Sequence, residues 1–375
     1  MVAYINSLPV ELLQHIFILT QFRDLTFLAH AQVIENARMA AIVSHVCRRW
    51  RVAALGMLDL WIFVSDRRRD SLKSYIKRSS PLPLTLALTH STLRSLRSKV
   101  TERVHHIVIL LLQVAYTGKA LPAVLNSNSL PNLRTFSISG RYTLLPVSRD
   151  PSTQAIAPHR NRFLALKNFR YTSINLLAIP TFPCLETVSA DDVFLPMASI
   201  LKPSASTLTH LTLGKMIIPP RQSTEKVELP VLRTLTLNST CTVRIASWLR
   251  APALVVLRLQ KYTQKYLLGI AHTAADCKQD PLVTLSELIV QIYDGQNFKY
   301  WEESIADMFI AFPNVRRVRW DIPCRETVSR YGSRLDESVW MRLDDIAMRV
   351  NGEDVNAELL AAMRRPNAKD LVKPY

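Results

Sequence analysis

The sequence is short of glycine, with 8 in 375 residues. Loops that cradle phosphates need glycine, and no Gly-x-Gly-x-x-Gly, P-loop or Gly-x-Ser-x-Gly pattern occurs. Cysteine is scarce too. The 5 cysteines, Cys47, Cys184, Cys241, Cys277 and Cys324, are odd in number, far apart and never in a Cys-x-x-Cys pair. That argues for free thiols in a reducing compartment. Long apolar runs are missing. The longest, Ile107 to Leu112, is far too short to cross a bilayer. The opening residues lack a basic stretch followed by an apolar run, so no secretory leader is expected. These absences together predict a soluble protein of the cytoplasm or nucleus.

Chemistry-bearing clusters are also few. The 9 histidines are scattered, and His105-His106 is the adjacent pair. Successive strand residues face opposite ways, so that pair is a poor metal site. His45 and Cys47 stand two apart on a helix and do not face each other. Asp191-Asp192 and Asp344-Asp345 read as solvated surface. No catalytic residue, metal or cofactor is expected, and the chain reads as a non-enzyme.

Proline, by contrast, is plentiful at 21 residues, which suggests many short elements punctuated by turns. The 48% hydrophobic and 21% charged content is that of a folded protein of one to three domains. The net charge is +17. Between Arg48 and Arg103, 13 Lys/Arg face 4 Asp/Glu, so 13 − 4 = +9 sits in that stretch. It is open to two readings: an anionic partner, or a solvated helical face. No aromatic platform or nucleic-acid motif accompanies the charge.

The N-terminal stretch is organised as two apolar helical segments. Pro9 suits a first helical position, Glu11 the first turn, and Leu12, Leu13, Ile16 and Phe17 fall on one side. Val43, Val46, Cys47 and Trp50 recur at i, i+3, i+4, i+7 as a second stripe. Residues 19–42 between them also read helical. A unit this short cannot bury all these apolar positions by itself. They are either the core of a helical cap or a partner surface. The strings Leu8-Pro9-x-Glu11-Leu12-Leu13-x-x-Ile16-Phe17 and Val43-Ser44-His45-Val46-Cys47-Arg48-Arg49-Trp50-Arg51, with Leu60-Trp61 after them, resemble an F-box. The string Ser44 to Arg51 and the trailing Leu60-Trp61 resemble the version expanded in mushroom-forming fungi. The middle, 19–42, is longer than in the compact motif. The resemblance covers about 60 residues. It implies docking on a Skp-type adaptor, and through it a cullin, by Leu8, Pro9, Leu12, Leu13, Ile16, Val43, Val46 and Trp50.

Strands are expected at Ile62-Phe63-Val64 and Leu84 to Leu88, with a basic helix from Asp70 to Arg78 between them. A phrase L-x-x-L-x-L then recurs, starting at Val104, Leu133, Leu166, Leu185, Leu208, Leu232, Leu254, Leu285 and Val315, at steps of 19 to 33 residues. Several copies follow an apolar-Pro pair such as Leu130-Pro131 or Leu229-Pro230. This period resembles a leucine-rich repeat, in a degenerate form without the usual Asn. It implies one parallel strand per copy, with helices or loops on the convex side. In each copy the residues flanking the second apolar position share one face. The candidate contacts for a protein substrate are Thr135, Thr187, His210, Thr234, Arg258, Arg317 and Arg319. Thr and Ser are also simply favoured in strands. Val339, Leu343, Ile346 and Val350 stand at helical spacing, followed by Asn351-Gly352 as a stop. With a second helix over about 355–365 they are expected to cap the repeats.

The fold expected is therefore α/β: an F-box over 1–65, a basic connector with the first strand over 66–100, an irregular leucine-rich-repeat-like solenoid over 101–322, and capping helices over 323–375. The expected role is substrate recognition in a cullin-type ubiquitin ligase, as a monomer within the complex. The alternative is a basic nucleic-acid-associated scaffold that keeps an F-box-like N-terminus. Membranes are not expected as partners.

Overall fold

A computed structural model describes residues 7–22, 29–66, 69–89, 98–111, 130–140, 163–172, 182–191, 197–214, 226–238, 249–262, 284–292, 312, 314–322, 344–350 and 353–355. The chain is a mixed α/β protein in two units, Met1–Leu185 and Glu186–Tyr375. Parallel pairing dominates both.

The first unit starts with helices α1 (Val10–Leu19), α2 (His30–His45) and α3 (Arg48–Gly56). Pro9 is the N-cap of α1, and its carbonyl accepts from the Leu13 N–H at 3.2 Å. Leu13 and Phe17, four apart, are the side chains α1 buries. Helix α2 buries Val33, Asn36, Ala37, Ala40, Val43 and Ser44 along one stripe. Between α2 and α3 the chain turns at Cys47, whose extended backbone (φ −156°) ends helical continuity. Its Sγ accepts from the Trp50 N–H at 3.5 Å and caps α3. The second stripe expected from the sequence is therefore split across two helices. A short 3₁₀ turn, Leu58–Trp61, then leads into strand β1 (Phe63–Ser65).

Helix α4 (Arg69–Arg78) and strand β2 (Leu84–Thr89) follow as expected. Next come a single helical turn, α5 (Ser98–Thr101), and strands β3 (Val104–Leu111), β4 (Thr135–Gly140) and β5 (Asn168–Thr172). Strands β1 to β5 lie in chain order, each parallel to the next. Leu86, Ile107, Phe136 and Phe169 stand in one register row on the buried face. Phe136 and Phe169 stack at 5.8 Å between ring centroids. The opposite face is covered as well. Val33 of α2 packs on Phe63, Ala87 and Val108, one from each of the first three strands.

The second unit holds β6 (Thr187–Asp191), helix α6 (Met197–Leu201), β7 (His210–Leu213), β8 (Val227–Glu228), β9 (Thr234–Asn238), β10 (Leu249–Arg250), β11 (Val256–Tyr262), β12 (Glu287–Ile292), β13 (Arg317–Ile322), β14 (Asp345–Val350) and β15 (Glu353–Asp354). The order β6-β7-β9-β11-β12-β13-β14 is parallel throughout, and β15 closes it antiparallel. β8 and β10 form a separate parallel pair. Two rows run across the strands and are buried: Val188-Leu211-Leu235-Leu257-Leu288-Val318, and Ala190-Leu213-Leu237-Leu259-Val290-Trp320. These are the second and third apolar positions of the recurring phrase, and period-two alternation puts them on one face.

The prolines have a local reason. Leu133, Leu232 and Leu254 donate N–H bonds back to Leu130, Leu229 and Ala251, three residues earlier. Pro131, Pro230 and Pro252 sit second in these turns, where their fixed φ is preset. Each turn delivers the first leucine of the phrase into the core and aims the strand. One carbonyl then accepts two successive N–H groups of the next strand, as Arg233 does from Val255 and Val256 at 2.9 Å each.

The C-terminal expectation is corrected. Ile346 and Val350 lie in strand β14, paired with Val318 and Ile322 of β13, not in a capping helix. Spacing of four satisfies both a helix face and one face of a strand, and an unpaired parallel edge selects the strand. Val350 pairs antiparallel with Glu353 of β15. The rest of the predicted helices, 336–343 and 356–365, lies outside the described residues.

Candidate functional site

Among the described residues, the large apolar side chains left in solvent concentrate on one part of the chain. Val10, Leu12, Ile16, Leu19, Phe22, Ile42, Val46, Val52, Leu55 and Leu58 are all exposed, and Leu164 is the one outside the N-terminal helical stretch. Leu19 is 70% exposed, Val52 66%, Val46 55% and Leu12 50%. Solvent does not favour such a concentration, and exposed apolar surface of this kind marks contact with another molecule.

Of the residues expected to face an adaptor, Leu12, Ile16 and Val46 are exposed, Pro9 is exposed, and Leu8 and Trp50 are half-buried. Leu13 and Val43 are corrected. At 0% and 4% exposure they are core, and they serve the surface only by holding the helices beneath it. An apolar stripe at helical spacing selects the face turned to the protein's own interior. The surface is instead made largely by apolar residues off the stripe, which is why periodicity does not point to Val10, Leu19, Phe22, Ile42, Val52, Leu55 and Leu58.

The frame below this surface is built from specific contacts. Trp50 lies against Phe17 at 5.1 Å and joins α3 to α1. Arg49 donates to the Leu8 carbonyl, and Arg51 Nε donates to the Ser44 carbonyl at 2.9 Å. Asn36, fully buried, accepts from the Phe22 N–H at 2.8 Å and donates to the Phe22 carbonyl at 2.9 Å. Trp61 is the junction with the sheet. Its Nε1 donates to the Ala54 carbonyl at 2.8 Å, its ring meets Tyr75 at 5.0 Å, and the Arg78 guanidinium lies 4.4 Å over it. Tyr75 in turn donates to the Ala37 carbonyl at 2.8 Å. Arg49, Arg51, Arg78 and Arg103 of the basic stretch are therefore engaged by the protein itself.

The sheet face expected to take a substrate differs between the units. Thr135, in the first unit, is corrected: it is 3% exposed, and its Oγ1 accepts from Asn168 Nδ2 at 3.3 Å. In the second unit the corresponding face is accessible. His210, Arg258 and Arg317 are exposed, and Thr187, Thr234 and Arg319 half-buried. His210 Nδ1 is 2.8 Å from Thr209 Oγ1. Arg317 pairs with Glu287 across adjacent strands at 3.5 Å. Gly214 sits where the Asp191 carboxylate leaves no room for a Cβ.

His106 stands in the covered row of the first unit, between Thr85 and Thr135. Burial first, then the neighbouring His105 and Arg134, pushes it down to about 4. No group of three His, Cys, Asp or Glu side chains placed to hold a metal occurs among the described residues. Among them, too, no helix is long and apolar enough to cross a membrane. What the chain presents is two surfaces of different chemistry: an apolar helical one, and a polar parallel-sheet one. No protein-family model matches the sequence, and no curated protein matches it.

Proposed function

We propose that the chain is the substrate-recognition subunit of a Skp–cullin–F-box type ubiquitin ligase. The N-terminal helices are its F-box, and the recurring strand phrase is that of degenerate leucine-rich repeats. The observation that supports this most is the set of exposed apolar side chains on α1, α2 and α3, in the stretch whose sequence resembles an F-box. On this reading Leu12, Ile16, Val46 and Val52 dock on the adaptor, and the sheet face of the second unit holds a protein substrate. The chain performs no chemistry. It raises the effective concentration of a substrate lysine near the ligase. The insert over 19–42 contributes most of α2, the helix that covers β1 to β3. It thus fixes the F-box helices to the sheet.

The test is co-expression of the full chain with a Skp-type adaptor, followed by size-exclusion chromatography. Wild type is expected to co-elute with the adaptor. Leu12→Asp/Val46→Asp, at exposed positions, is expected to lose it while keeping its melting temperature. A wild-type chain that elutes alone at low and moderate salt would sink the ligase reading.

A further inference from the structure

The second unit's open face has its own chemistry. Arg258, Ile289, Arg319 and Ala347 form one register row across β11 to β14. One row away, Arg317 is neutralised by Glu287. Arg258 and Arg319 have no carboxylate partner among the described residues, and Arg319 Nε is buried without any hydrogen-bond partner. Two more orphaned buried atoms lie on the same face, Asn238 Oδ1 on β9 and Asp321 Oδ1 on β13. All three orphans of the second unit's described residues thus share one face. A buried polar atom left unpaired is costly, and three together point to a ligand that pairs them.

The kinds of orphan decide the ligand. The arginines require an anion, preferably a carboxylate or phosphate. Asn238 Oδ1 and Asp321 Oδ1 are acceptors and require donors, which a peptide backbone supplies and a phosphate chain does not. A nucleic acid also needs cations along most of the face. Here the row continues through β6 to β9 as Ser189, Thr212 and Thr236, which carry no cation. We propose that the open face of β9 to β13 binds an extended acidic segment of another protein, with its carboxylates on Arg258 and Arg319 and its backbone on the orphaned acceptors. The two arginine stems are two strands, about 10 Å, apart. Side chains two residues apart on an extended segment are about 7 Å apart, and four residues apart about 13 Å. Long guanidinium stems span the difference. This inference rests on reading the second unit as a protein-recognition surface, and it names the class of segment recognised.

The test uses the full chain and fluorescence anisotropy with three labelled probes: a 12-residue peptide with Glu at alternate positions, the same peptide with Gln at those positions, and a 12-nucleotide single strand. The Glu peptide is expected to bind about tenfold or more tightly than the Gln peptide. Arg258→Gln and Arg319→Gln are each expected to weaken it by about tenfold. Arg250→Gln, which removes an equal charge elsewhere, should leave it within about twofold. Equal binding of the two peptides, equal losses at Arg250, or a single strand that outcompetes the Glu peptide would overturn the proposal. Each variant is also run against the adaptor. Peptide binding without adaptor binding would remove the ligase reading and leave this surface standing.

Discussion

Single residues carry information here when their surroundings deny them an ordinary state. His106 is such a residue. Its folded pKa, about 4, lies below the ordinary histidine value of 6.5, mainly because burial disfavours the imidazolium. The unfolded chain therefore takes up a proton at a pH where the folded chain does not. Stability is unaffected above about pH 7. It falls as pH drops from 6.5 toward 4, and below that the loss is complete. At pH 5 the cost from this one group is roughly 2 kcal/mol. Urea melts at pH 7.5 and 5.0 on wild type and His106→Asn measure it. The wild type should lose more stability than the variant over that interval. Identical losses would show that His106 is protonated in the folded protein. Sequence alone does not reveal this. His105 and His106 are neighbours in the chain, and only the register row with Thr85 and Thr135 shows which one is enclosed.

At the scale of elements, the strands are legible in the sequence and their coverings are not. Leu211/Leu213, Leu235/Leu237 and Leu257/Leu259 alternate in sequence and line the core in the structure, because a strand's two-residue period writes itself into hydrophobicity. At Ile346 and Val350, by contrast, a spacing of four fits helix and strand alike, and pairing with β13 decides. The helix expected across Val43 to Trp50 is broken by Cys47, a residue with no strong turn preference. Long-range clamps escape sequence reading altogether. Arg103, just before β3, is the clearest. Its guanidinium donates to the carbonyls of Ile76 and Leu82 and to Ser79 Oγ at 2.8–3.0 Å, tying the end of α4 and the entry to β2 together. Burial lowers its pKa from the usual arginine value, yet a guanidinium remains charged at any working pH. Charge-assisted bonds of this kind are worth about 1.5–3 kcal/mol each and are not additive. Arg103→Ala is therefore expected to cost roughly 3–4 kcal/mol, and Arg103→Lys most of that, since an ammonium cannot reproduce the fork. Denaturant midpoints check this; a lysine variant as stable as wild type would show that charge, not geometry, matters.

For the molecule as a whole, the division of labour follows from which faces are covered. In the first unit α2 lies over β1 to β3, and on β4 Thr135 and Ser137 are buried although their sequence looks like that of an open face. In the second unit no such helix occurs among the described residues, and the open face keeps Arg258 and Arg319 reachable. The N-terminal helices carry exposed apolar side chains, from Val10 to Leu58. A protein that leaves this surface in water should lose solubility. The isolated chain is expected to self-associate at micromolar concentration and to bind an apolar dye such as ANS. Its net charge of +17 opposes association by repulsion, so added salt, which screens that repulsion, should promote it. Replacing Leu12, Val46 and Val52 by Ser should reduce both dye binding and association, with little change in the melting temperature, because these side chains are already in water. Light scattering against salt, run beside a thermal melt, separates the two effects. A triple variant that melts well below wild type would mean that these side chains belong to the core; one that still associates as salt rises would place the sticky surface elsewhere.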